Sequence, residues 1–233
     1  MGQKSIRNMA RITTWKDDYW LLLLQLFLKR PVGIKPLYSR SMVDLAMELH
    51  IPPQSLFKRM EQIAQLQTPR LERIWQTYSK NPQRLARAVR LLRSMNGFGQ
   101  AEDFYDGVEV QETFEKDFRP VVFATGTQLP DEGYRRLTPS MLIIMLDLYF
   151  QLTPSTMVVE TPEVQQTGRL LKIGAELVVH VLETYQHCDP YLGSRDFILT
   201  PLLLPCQQVW QRYGNGEPQQ LEAFAKELRE YFR

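Results

Sequence analysis

The stretch Leu45-Ala46-Met47-Glu48-Leu49-His50-Ile51-Pro52-Pro53-Gln54-Ser55-Leu56 returns in altered form as Gly168-Arg169-Leu170-Leu171-Lys172-Ile173-Gly174-Ala175-Glu176-Leu177-Val178-Val179-His180. At a constant offset of 122, Ala46 reads onto Gly168, Leu49 onto Leu171, Ile51 onto Ile173 and Leu56 onto Val178. Working outward, Met42 reads onto Val164, Met60 onto Leu182, Glu61 onto Glu183, and Leu26-Phe27 onto Leu148-Tyr149. One residue of slip pairs Pro69 with Pro190. Ile74-Trp75-Gln76-Thr77-Tyr78 then reads onto Val209-Trp210-Gln211-Arg212-Tyr213, each followed by Pro and Leu (Pro82, Leu85; Pro218, Leu221). The matches keep their order and fall mainly on apolar positions, so the chain reads as a duplication of one helical module.

The expected fold is therefore mainly all-α: two duplicated helical modules with helix-turn-helix-like hairpins. Residues 1–96 form the first module, 97–137 an irregular acidic linker, and 138–233 a second, degenerate copy. Local signals agree. Asp17-Asp18 precede the apolar run Tyr19 to Leu28, and acids favour a helix's first turn. Ser41 is placed to cap a helix through Leu49. Pro52-Pro53, Thr68-Pro69, Asn81-Pro82 and Thr138-Pro139 are helix openings, where proline's missing amide costs nothing. Asn96-Gly97-Phe98-Gly99 marks the boundary. Beyond it, Val108 to Phe114 alternates apolar and polar residues, and Val121 to Ala124 is apolar, so a small β element is expected there.

The two copies differ in charge. Residues 1–96 hold 17 Lys and Arg against 6 Asp and Glu, a net +11; the remainder holds 11 against 20, a net −9. A basic half points to an anionic partner such as nucleic acid, or to an acidic protein surface. The two readings are DNA binding, and a protein–protein scaffold in which basic and acidic modules pair without nucleic acid.

The hairpin has the spacing for the first. Ala46 is small where two helices must approach, His50 occupies the turn, and Ile51 and Leu56 plug the second helix onto the first. Gln54, Ser55 and Lys58 then lie near the second helix's N-terminus, where they can reach base edges in a major groove. Arg40 and Arg59 are placed as phosphate contacts. In the second copy Glu176, Leu177 and Val181 replace Gln54, Ser55 and Arg59. An acid and two apolar residues do not suit a phosphate-lined groove. Leu177 and Val179 are expected to be exposed instead, as a self-association surface for a homodimer.

These stretches resemble a known module. Leu24 to Leu28 with Leu45 to Pro69, and Leu146 to Phe150 with Val164 to Pro190 (closing on Cys188-Asp189-Pro190), resemble the small helical domain ahead of the nuclease in some bacterial HNH-endonuclease-like proteins. The resemblance implies DNA binding. The nuclease part is not matched, since His50, His180 and His187 make no His-His-Asn metal set.

Arg84, Arg87, Arg90 and Arg93 recur every third residue, so successive side chains shift by about 60° around a helix and wrap a broad face. That face is a second candidate for a phosphate backbone, or a partner for the acidic stretch from Glu102 to Asp117. Trp75 with Tyr78 and Trp210 with Tyr213 are read as core, because both copies keep the pair and only one copy is basic.

No enzyme signature is present: no Gly-rich phosphate loop, no zinc spacing, no nucleophile elbow. No cofactor and no metal are expected. Two cysteines, Cys188 and Cys206, do not make a disulfide framework. Neither apolar run is long enough to cross a membrane, and the basic N-terminus lacks a signal-type apolar core. The expectation is a cytoplasmic, non-catalytic DNA-binding protein of the transcriptional-regulator kind, reading DNA with the first module and assembling through the second.

Overall fold

The computed structural model describes residues 15–99, 113–123, 127–192 and 200–233. Among them are eleven α-helices and no strand. The chain divides into two units, Met1–Thr113 and Phe114–Arg233. Of the expected β element, Val121–Phe123 is irregular, with the Val121 amide donating to the Leu137 carbonyl (2.8 Å). Residues 108–112 and Ala124 lie outside the described residues.

The first unit holds α1 (Tyr19–Leu28), α2 (Arg40–Leu49), α3 (Pro53–Gln65), α4 (Pro69–Tyr78) and α5 (Pro82–Arg93). Leu22, Leu23 and Leu24 are all buried, so α1 is the central rod, with α3, α4 and α5 against it. A helix apolar on every face must be enclosed by others. Proline opens α3, α4 and α5. Thr68 accepts from the Leu71 amide (3.2 Å) and Asn81 from the Arg84 amide (3.0 Å), so both breaks are capped. Ser41 does not cap α2. The N-cap lies two residues earlier, at Ser39, with no side-chain cap bond, and the helix starts at Arg40. The α1 exit is closed by buried Lys35, whose Nζ donates to the carbonyls of Lys29 (2.6 Å), Pro31 and Phe27 (3.5 Å). A lysine inside a protein needs such acceptors, because nothing else there replaces water.

The second unit holds α6 (Glu132–Arg136), α7 (Pro139–Gln151), α8 (Pro162–Leu171), α9 (Ala175–Cys188), α10 (Leu203–Val209) running into a π-helical turn (Trp210–Gly214), and α11 (Pro218–Phe232). Every residue from Ser140 to Tyr149 is buried, so α7 is the central rod here. Thr138 caps it through the Met141 amide (3.4 Å), as its sequence signal predicts. The segment 114–137, read from sequence as linker, counts with this unit. A 3-10 turn, Phe114–Phe118, packs on α7; Phe118 meets Tyr231 edge-on (5.1 Å) and Asp117 forms an ion pair with Arg212 (2.7 Å).

The constant offset is visible in these bounds. α2 and α8 begin and end 122 residues apart, and α3 and α9 begin 122 apart. His50 and Lys172, again 122 apart, both end their helices in the left-handed conformation (φ 55° and 56°). The Ile51 amide donates to the Ala46 carbonyl, and the Ile173 amide to the Gly168 carbonyl, each at 3.0 Å. Phe27 stacks edge-on against Trp75 (5.9 Å), and Tyr149 against Trp210 (5.7 Å). Leu85, Val89 and Leu92 on α5 and Leu221, Ala225 and Leu228 on α11 are all buried, at an offset of 136.

Candidate nucleic-acid interface

The α2–turn–α3 hairpin is built as its spacing predicts. Ala46 is fully buried where α2 meets α3, while Ile51 and Leu56 seat the second helix. His50 takes up the left-handed turn that glycine commonly fills, and its Nε2 lies 3.4 Å from the Gly99 carbonyl oxygen. The outward stripe of α3 carries Gln54, Lys58 and Gln65, all exposed, with Glu61 half-buried. These lie three to four residues apart and so share one face.

The predicted contact residues fare differently. Lys58 and Arg40 are exposed. Gln54 is exposed but donates from Nε2 to the Tyr38 hydroxyl (2.5 Å), so its amide is already oriented. Ser55 is half-buried, and its carbonyl accepts from Arg59 Nη1 (3.2 Å). Arg59 corrects the sequence reading. Its guanidinium lies over the Trp15 ring at 4.4 Å and is half-buried, and the lost hydration pulls its pKa below the ordinary arginine value. It is a packing residue that fixes Trp15 against α3. The ring it covers comes from position 15, outside any predicted helix, and no local pattern announces such a pair.

On α5, Arg84, Arg87 and Arg90 are exposed. Arg84 leans over Tyr78 at 5.5 Å. Arg93 leaves this set: it makes a bidentate pair with Glu48 on α2 (2.5 and 2.8 Å), which raises its pKa and fixes α5 to α2. Most of the acidic stretch expected to face these arginines, Glu102 to Glu112, lies outside the described residues; Glu115 pairs with Arg119 (2.6 Å) and Asp117 with Arg212, inside the second unit.

The second hairpin departs from its expectation at Leu177. That side chain is 3% exposed and therefore cannot form an assembly surface. Its Cδ2 lies against Gly133 of α6, where an added Cβ would stand 2.9 Å away. Tyr134, next along α6, pairs its hydroxyl with His180 Nδ1 (2.9 Å) on α9. The α6 segment thus lies on the α9 face that α3 leaves open to Gln54 and Lys58. Val179 is half-buried.

Two thiols belong to this unit's core rather than to a reactive site. Cys206 is fully buried and Cys188 half-buried; burial pushes the Cys188 thiol up to about 11 and holds Cys206 well above its usual value. Both stay protonated, hence weakly nucleophilic, near neutrality. No helix among the described residues is long and apolar enough to cross a membrane. Family models, curated proteins and solved structures offer no match to the chain.

Proposed function

We propose that the protein binds DNA without catalysis, through the first unit, with α3 presented to the major groove. The observation that carries this is the α3 stripe: Gln54, Lys58 and Gln65 exposed on one face of a helix that follows a tight left-handed turn, in a half of the chain with net +11. Lys58 is the cation of that stripe and Gln54 its pre-oriented amide, suited to an adenine edge. Arg84, Arg87 and Arg90 form a separate exposed basic face suited to phosphates, and the duplex charge makes such contacts the main source of affinity.

In this reading the second unit is a copy of the same module that has lost the groove-facing surface. Its equivalent of Gln54 is Glu176, and α6 lies beside it. An assembly role for this unit requires another surface than Leu177.

Fluorescence anisotropy of a labelled duplex tests the proposal, with Lys58→Glu beside the wild type. Expected is salt-sensitive binding, weakened at least tenfold by the charge reversal. Absence of binding by the wild type at low salt would end the DNA reading and favour the scaffold in which the two oppositely charged modules pair.

A further inference from the structure

The chain enters α2 through a four-residue turn, Pro36 to Ser39, closed by the Ser39 amide donating to the Pro36 carbonyl (2.9 Å). Just upstream the Lys35 amide donates to Met60 Sδ (3.2 Å), which fastens this segment to α3. Tyr38, inside the turn, is 6% exposed, so packing sets its ring and brings its hydroxyl to a fixed point beside α3. There the hydroxyl accepts from Gln54 Nε2 (2.5 Å), 16 residues further along the chain. Gln54 is the second residue of α3 and is exposed.

This contact settles what an unheld glutamine leaves open. An exposed glutamine samples many rotamers, and ordering it on a ligand costs conformational entropy. A partner that holds the amide in the free protein removes part of that cost before the ligand arrives. The amide carries two N–H groups and one oxygen. Tyr38 engages one N–H; the other N–H and the oxygen remain. These are the donor and the acceptor that adenine N7 and N6 require in the major groove.

The second copy changes both members together. Ser39 and Thr161 are the N-caps of α2 and α8, 122 residues apart, so Tyr38 matches Glu160 as Gln54 matches Glu176. Glu160 and Glu176 are both exposed. Ionised carboxylates only accept hydrogen bonds, so these two cannot replace the pair. The hydroxyl and the amide it holds thus occur together in the basic copy and are missing together from the acidic one.

We propose that Tyr38 is a specificity-determining residue of the first unit: it touches no base, and it holds the Gln54 amide in the orientation that prefers an A·T pair. The proposal rests on the DNA reading of α3 and adds to it the residue that positions the base contact.

Duplexes are first selected from a randomised library by the wild-type protein, and the A·T pair whose preference disappears in Gln54→Ala is located. Anisotropy then gives affinities for that duplex and for one with G·C at this pair. The wild type is expected to prefer A·T about tenfold, within the range of one good bidentate contact. Tyr38→Phe keeps the ring and removes only the hydroxyl, and is expected to cut that preference about threefold, as the loss of one hydrogen bond does. The loss falls on the A·T duplex alone, and Tyr38→Phe adds nothing in a Gln54→Ala background. Both duplexes meet the same sample, so any change in folded fraction cancels from the ratio. Equal weakening of both duplexes by Tyr38→Phe makes the hydroxyl merely structural and overturns the proposal. An unchanged preference in Tyr38→Phe, or no A·T preference that depends on Gln54, also overturns it while leaving DNA binding in place. A wild type that binds no duplex at low salt ends the DNA reading itself, and this proposal with it.

Discussion

Lys172 ends α8 at φ 56° and ψ 43°, a conformation that a side chain with a Cβ enters at a cost and glycine enters freely. The residue is exposed, so its replacement disturbs no core. Relieving the left-handed cost of a Cβ, roughly 1–2 kcal/mol, less the extra unfolded-state entropy of glycine, leaves Lys172→Gly an expected stabilisation of about 0.5–1 kcal/mol, whereas Lys172→Ala, which keeps the Cβ, brings no such gain; urea unfolding of both variants measures the difference. The left-handed site was legible only in part. The sequence marks a turn at His50, and Lys172 is its partner at the offset of 122, but neither is the glycine that usually announces this geometry. The two thiols give a second residue-scale expectation. Burial lifts both folded pKa values above the ordinary 9.0, Cys188 to about 11 and Cys206 well above its usual value. A raised pKa means that the native state holds its protons more tightly than the unfolded chain. The resulting stability is complete below pH 9 and lost as pH rises from 9 toward 11. The urea midpoint should fall between pH 8 and pH 10, and fall less in a Cys188→Ser/Cys206→Ala variant.

Between elements, the decisive contacts are those whose partners lie far apart in the chain. Asp147 is the acid that interrupts an otherwise apolar α7, and its side chain is 4% exposed. Its partner Arg229 lies 82 residues away. Nothing local in the sequence shows which base answers it. Removing one member of a buried pair strands the other, so Asp147→Ala is expected to cost about 3 kcal/mol. Arg229→Ala should cost less, because arginine is the more exposed partner. Replacing both by leucine should recover much of the loss. A double-mutant cycle in urea yields the coupling energy, and a value near zero would remove this pair as the tie between α7 and α11. The same distance dependence explains which predictions succeeded. Most helix bounds, the proline openings, the Thr138 cap and the buried positions of the first hairpin follow local rules and were readable. The roles of Arg59 over Trp15, of Arg93 on Glu48 and of Leu177 against Gly133 depend on segments that only tertiary packing brings near.

At the scale of the whole molecule, a net charge of +2 conceals halves of +11 and −9, and that separation governs how the protein responds to salt. If DNA binding rests on Lys58 with Arg84, Arg87 and Arg90, about four phosphates are neutralised, and the logarithm of affinity falls with the logarithm of salt at a slope of about −3.6. Between 50 and 200 mM salt that is a loss of about two orders of magnitude. Arg87→Ala/Arg90→Ala should flatten the slope by about two and weaken binding evenly across sequences, because phosphate contacts carry no base information. Lys58→Ala should flatten it by about one, and Gln54→Ala should leave the slope unchanged while altering preference among sequences. A slope unaffected by the arginine pair would detach α5 from the interface and confine binding to α3. A slope steeper than four contacts supply would bring further cations of the first unit, Arg40 first among them, into the phosphate set.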